Sequence, residues 1–231
     1  MKRIILIALI SVIVVACSDK KENTMFVQGE VKNLKKGTLY LQKMVDTIAV
    51  TVDSVALDGV STFILSDEVE SPELYFLSLN KLRSKQITFF GEKGTITINT
   101  KLDKFQFGAT INGLTNQQLL DEYNDMKSKF SDKRLDLIKA DFEVKALGDS
   151  IKIDSVENLI NSLIKRRYYY TTNFAVNHAD SEVAPYLALT ELFDANVTLL
   201  DTVNNTLTPK VKVSKYGLAL EKFIADIKSK E

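Results

Sequence analysis

Cysteine occurs once in this 231-residue chain, at Cys17, histidine once, at His178, and tryptophan not at all. Each scarcity removes a class of chemistry. One cysteine cannot form an intramolecular disulfide, a Cys-x-x-Cys redox pair or a multi-thiolate metal site. One histidine cannot build a histidine-rich metal centre, and no Gly-x-Ser-x-Gly elbow is present to join it in a hydrolytic triad. The lack of tryptophan weakens any sugar-stacking platform. Excess charge of one sign is also missing: 30 basic and 30 acidic side chains balance. There is no basic surplus for nucleic acid and no polybasic tether for anionic lipid.

What the N-terminus does have is a charged start and a short apolar run. Met1-Lys2-Arg3 is a short positive segment, and Ile4 to Ala16 follows with no charge and one polar residue, Ser11. A membrane-spanning helix needs about 20 apolar residues, so this run reads as the core of a signal peptide over residues 1–16. Val14-Val15-Ala16-Cys17 then reads as a lipobox, with Val14 where leucine is commonest. Cys17 is expected to become the first mature residue, with lipid on its sulfur and an acyl chain on its amino group. Two or more chains make such anchoring stable, so the expected partner is the membrane, through Cys17. Loss of Lys2 and Arg3 with the leader moves the formal net charge from 0 to about −2. Residues 17–24 form a polar tether. Its seven residues after the cysteine reach at most roughly 23 Å, which keeps the folded part near the bilayer.

Residues 25–113 read as β structure. Gly37-Thr38-Leu39-Tyr40-Leu41-Gln42-Lys43 alternates, and Ile48 to Ala56 is rich in β-branched residues. Asp58-Gly59 is a tight-turn signal before Ser61 to Leu65. Pro72 precedes a strand from Leu74 to Leu79, at a position where a missing N–H is tolerated. Further strands are expected over Phe26–Val31, Gln86–Phe90, Thr95–Thr100 and Phe105–Gly113. Eight or so short strands at this spacing predict an antiparallel β-sandwich or partly open barrel. Gly91-Glu92-Lys93-Gly94 lacks the spacing of a phosphate loop and leads into a strand, so it is expected to be a hairpin turn.

Residues 114–231 read as a helical domain, making the whole chain α+β. Thr115 with Gln118 has the form of a capping box. The helix it opens would bury Leu119, Tyr123, Met126 and Phe130. Gly148 marks a break. Asp154 with Glu157 is expected to cap a second helix, antiparallel to the first, with Val156, Leu159, Ile160, Leu163, Tyr170 and Phe174 inward. A third helix starts at Asp180 or Ser181, with Pro185 near its first turn. Asn204-Asn205 and Pro209 punctuate an expected loop, and a last helix from about Ser214 aligns Tyr216, Leu220, Phe223 and Ile227.

Candidate functional residues are few. Arg166, Arg167, Tyr168 and Tyr169 form an unusual run able to meet an anionic or planar ligand or a partner protein. Against this, successive helix residues point in different directions. His178 sits near an expected helix C-terminus, where a solvated histidine is commonplace. Asp53, Asp58, Glu68, Glu70 and Glu92 are the carboxylates available to a hydrolase of the paired-carboxylate kind. No catalytic, cofactor-binding or metal-ligating set stands out, and no cofactor is expected.

Several of these residues resemble one family. Phe26-x-x-Gly29, Leu39-Tyr40-Leu41, Asp53-Ser54, Asp58-Gly59, Phe63, Pro72 and Tyr75 are similar to the domain of unknown function 4369, a β-rich domain of Bacteroidota lipoproteins. Ile96-Thr97-Ile98, Asn112-Gly113 with Asn116, Ser181 with Ala184 and Leu187, and Tyr216-Gly217-Leu218-Ala219-Leu220 extend the resemblance over about residues 25–231. In many relatives these parts precede a thioredoxin-like domain. Here the chain reaches Glu231 about where that domain would begin, with no Cys-x-x-Cys pair, so oxidoreductase activity does not carry over. The resemblance implies the cell envelope, at the outer membrane. Surface export in such bacteria is linked to an acidic run after the cysteine; Lys20-Lys21 interrupt it here, which favours the periplasmic side.

The expected function is therefore a lipid-anchored, non-catalytic binding or accessory module for an envelope protein, including a separately encoded thioredoxin-like partner. An envelope hydrolase using the carboxylates above and a purely structural lipoprotein are the competing readings.

Overall fold

A computed structural model describes residues 23–230. The leader, Cys17 and most of the tether lie outside the described residues.

Among the described residues eight strands make two four-stranded sheets. They are β1 (Thr24–Lys32), β2 (Lys36–Val45), β3 (Ile48–Asp58), β4 (Thr62–Glu68), β5 (Glu73–Leu79), β6 (Gln86–Gly91), β7 (Gly94–Lys101) and β8 (Thr110–Asn112). The first sheet has the order β4-β1-β7-β8 and the second β3-β2-β5-β6. No strand is shared between them, so the architecture is a sandwich and not a closed barrel. Expectation and structure differ in one pairing. β1 and β7 run parallel, Gly29 opposite Ile98, while every other pair is antiparallel. A parallel pair needs a long crossover, and here that crossover takes in the whole second sheet together with β4.

Alternation explains the core. Met25, Val27 and Val31 of β1, Leu39 and Leu41 of β2, Tyr75, Leu77 and Leu79 of β5, and Ile96 and Ile98 of β7 point inward and are buried together. Each such side chain contributes roughly 1.5–3 kcal/mol of transfer free energy. Gly29 has a structural reason to be glycine: a Cβ there would lie 1.8 Å from the carbonyl oxygen of Ile98. An extra residue in β3 opposite the Leu41–Gln42 step bends the strand. Asp53 then accepts hydrogen bonds from the Ser54 N–H (2.7 Å) and, across to β4, from the Ser66 N–H (2.8 Å).

Two turns serve other ends than the sequence indicates. Gly91-Glu92-Lys93-Gly94 does not close a hairpin, because it joins β6 of one sheet to β7 of the other. The last expected strand shrinks to Thr110–Asn112; Phe105 is buried in the preceding turn and Phe107 is 94% exposed.

Six helices follow: α1 (Thr115–Leu147), α2 (Ser150–Asn177), α3 (Val183–Glu191), α4 (Val197–Thr206), α5 (Pro209–Lys212) and α6 (Lys215–Lys228). α1 and α2 form a long antiparallel hairpin, turned by Gly148 at φ 67°. Their caps depart from the sequence reading. The N-cap of α1 is Leu114, and Thr115 makes no cap. Instead Glu92 reaches over from the β6–β7 connection and accepts from the Asn116 N–H at 2.8 Å and from Asn116 Nδ2 at 3.1 Å. A carboxylate at this end of a helix is also favoured by the helix dipole. Asp149, not Asp154, caps α2 by accepting from the Lys152 N–H. Asn204 and Asn205 are helical within α4, and Pro209 opens α5 behind the cap Thr208. Within the expected α2 stripe Val156, Leu163 and Phe174 are buried, whereas Leu159 is exposed.

The helices cover one end of the outer face of the second sheet. Phe90 of β6 packs among Tyr123, Phe174, Val183 and Leu187. The Phe90 N–H donates to Gln117 Oε1 at 2.7 Å and the Leu74 N–H to the Tyr216 hydroxyl at 3.0 Å. These side-chain acceptors complete backbone donors of the sheet beneath the helices.

Candidate functional site

A groove of about 160 Å³ lies where α1, α2 and the α3–α4 connection meet. Its apolar floor is Phe130, Leu163 and Ile164, and Lys127, Arg134, Arg167, Tyr168 and Asp194 stand around it. Helical geometry puts Lys127, Phe130 and Arg134 on one side of α1, at spacings of three and four residues, and Leu163, Ile164, Arg167 and Tyr168 on the facing side of α2.

The sequence run 166–169 is therefore divided. Arg167 and Tyr168 line the groove, while the Arg166 Nε donates to the Ser162 carbonyl at 3.4 Å along its own helix and Tyr169 is 60% exposed elsewhere. Tyr170 turns into an aromatic cluster with Tyr123, Phe130 and Phe174. Lys127, Arg134 and Asp194 escape sequence reading because only packing brings them to Arg167 and Tyr168. Seven-residue spacing of Lys127 and Arg134 is the one signal that they share a helix face.

Electrostatics arrange the rim. Glu191 receives Lys127 at 2.6 Å and Arg167 Nη1 at 3.5 Å. Arg167 also lies over the Tyr168 ring at 5.2 Å. Burial pushes the Tyr168 phenol above its ordinary pKa, and its hydrogen bond to Asp194 adds to this. The hydroxyl is thus held protonated as a donor. Arg134 is exposed and has no ion-pair partner among the described residues.

The other candidates are scattered. Asp58 pairs with Lys36 at 3.4 Å on the surface, Asp53 bridges β3 and β4, and Glu92 caps α1. Glu68 and Glu70 are brought together, with Glu73, Lys43 and Lys215, around a cavity of about 350 Å³ at the junction of sheet and helices. There Lys43 binds Asp67 at 2.7 Å, Tyr75 donates to the same carboxylate at 2.7 Å, and Lys215 pairs with Glu73. Burial raises the Tyr75 phenol far above its usual range, with Asp67 adding to the effect. His178 is the C-cap of α2, its ring 4.6 Å from that of Phe174. Among the described residues no group of three or more His, Cys, Asp or Glu side chains is placed to hold a metal, and no helix is long and apolar enough to cross a membrane.

The fold is thus a two-sheet sandwich carrying a helical domain, with a groove lined by Lys127, Arg134 and Arg167 on the helices. Residues 25–120, the sandwich and the first turns of α1, match the family model described as Domain of unknown function (DUF4369). The matched segment takes in Gly29, Glu92 and Asn116, which join β1 to β7 and the sandwich to the helices. No curated protein matches the chain.

Proposed function

We propose that this is a lipid-anchored protein of the cell envelope that acts as a non-catalytic binding module, with the α1–α2 groove as its contact for an envelope partner. The observation that carries this reading is the groove itself. Arg134 stands unpaired beside an apolar floor, with the guanidinium of Arg167 and the phenol of Tyr168 fixed opposite. Arginine and tyrosine beside buried apolar surface are the residue types that dominate binding energy at protein interfaces. Such a groove suits a carboxylate-bearing, partly apolar segment of a partner. The engagement of Asp53 and Glu92 in structural bonds supports binding over hydrolysis.

The anchor rests on Met1 to Cys17, and the outer membrane, periplasmic side, is its proposed address. A separately encoded thioredoxin-like protein is the proposed partner. The test places a photo-crosslinking residue at Ser131, on the groove wall, in the native membrane, with mass spectrometry of the products and a Cys17→Ala control. A reproducible envelope protein captured only by the lipidated form is the expected result. Loss of specific capture from Ser131, with the protein present and folded, overturns the reading.

A further inference from the structure

The helices leave the other end of the second sheet's outer face open. There a cavity of about 360 Å³ lies between the β2–β3 hairpin and the connection after β5. Its size falls in the range of small-molecule sites. Two kinds of residue line it. Met44, Phe76 and Leu82 give apolar walls, while Gln42, Lys81 and Arg83 give polar and cationic ones.

Three features point to a ligand. The first is the floor. Ser78, 2% exposed, donates to Gln42 Oε1 at 2.7 Å, and Gln42, 9% exposed, reaches Thr51 Oγ1 from Nε2 at 3.5 Å. This fixes the Gln42 amide and leaves its second N–H for another acceptor. The second is charge. No carboxylate lines the cavity, neither Arg83 nor Lys81 has an ion-pair partner among the described residues, and the Lys81 ammonium lies over the Tyr40 ring at 4.8 Å. The third is the loop that presents both cations. Asn80 and Lys81 have φ of 52° and 57°, conformations that non-glycine residues adopt at a cost. They are held by the Asn80 N–H on the Thr38 carbonyl at 2.8 Å and by the Thr38 N–H on Asn80 Oδ1 at 2.9 Å.

From these we infer that the outer face of the β3-β2-β5-β6 sheet binds a small organic carboxylate with an apolar body. Arg83 is suited to grip the carboxylate through two parallel N–H groups. Lys81 and the Gln42 amide complete the polar end, and Phe76 with Met44 holds the apolar part. This site is separate from the α1–α2 groove and shares no residue with it.

The test uses the full lipidated chain in nanodiscs and two probes of one shape, 1-naphthoate and the neutral 1-naphthamide, followed by naphthalene fluorescence. Naphthoate should bind saturably and at least tenfold more tightly than naphthamide. Arg83→Glu, an exposed position, should weaken naphthoate at least tenfold with the melting temperature unchanged, and Lys81→Ala should weaken it severalfold. Arg134→Glu, in the other groove, should leave it unaltered. Equal binding of the two probes, or naphthoate binding that survives Arg83→Glu, overturns the inference. So does binding lost through Arg134→Glu alone.

Discussion

The sandwich and the helical half are held together by different physics. In the sandwich one continuous set of aliphatic and aromatic side chains fills the space between two sheets, and side-chain polar bonds such as Ser78 to Gln42 and Tyr75 to Asp67 supplement the ladders. The helical half has two smaller clusters. One gathers α3, α4 and α6 around Ala184, Leu200 and Leu220; the other is an aromatic group set on Phe90 of the sheet. Buried side-chain polar groups concentrate at the seam: Asn116 meets Glu92, Glu182 at 3.4 Å and the Ser181 hydroxyl at 2.7 Å. The sandwich is thus specified by its own alternation. The start of α1 and the aromatic cluster draw on partners that the sandwich supplies, Glu92 and Phe90, while the rest of the helices pack on one another.

The largest effect that breaks this contrast should come from Gly29→Ala. The added methyl meets the Ile98 backbone, which must move, and a loss of about 3–4 kcal/mol is expected in denaturant unfolding. Gly148→Ala makes the matching change at the hairpin tip, where a Cβ meets nothing within 4 Å and only the positive φ resists. It should cost about 1 kcal/mol. Equal costs at the two positions would contradict the assignment of rigidity to the sandwich.

Asn116→Ala comes next. It removes the Nδ2 donor to Glu182, which is 2% exposed, and to Glu92 Oε2, and the acceptor of the Ser181 hydroxyl, while the backbone N–H that Glu92 caps remains. A loss of about 2–3 kcal/mol is expected, and helix ellipticity should melt before the sheet signal. Simultaneous melting at unchanged temperature would show that the seam does not couple the halves.

The smallest effect is a pH dependence. Partial burial, with Asp125 nearby, raises the Asp121 carboxyl above its ordinary pKa, against an opposing hydrogen bond from Gln117. The folded state then holds this proton more tightly than the unfolded chain does. Stability contributed here is present below the unfolded value and declines as pH rises through the folded one. Asp121→Asn should flatten that decline in melting curves over the acidic range. An unchanged slope would remove Asp121 from the account.

Much of the fold was legible from local pattern. The patterns of Gly37–Lys43 and Thr95–Thr100 mark strands, and Pro185 close behind Asp180-Ser181 marks the first turn of α3. Local pattern misleads where a distant residue takes over. The Thr115 capping box was set aside because Glu92, 24 positions away, reaches the helix end. Asn204 and Asn205 look like loop residues, yet they leave Val203 and Leu207 to be buried and the helix runs through them. Of the site, Arg167 and Tyr168 could be read from the run that contains them. Lys127, Arg134 and Asp194 could not, since three separate parts of the chain meet only after packing.

The most direct test of the binding claim is charge reversal at the groove. Arg134 is exposed and unpaired, so Arg134→Glu should fold and melt like the native chain. Capture of the envelope partner from the Ser131 crosslinker in native membranes should then fall at least tenfold. Undiminished capture by a normally folded Arg134→Glu protein would contradict the assignment of the groove as the binding surface.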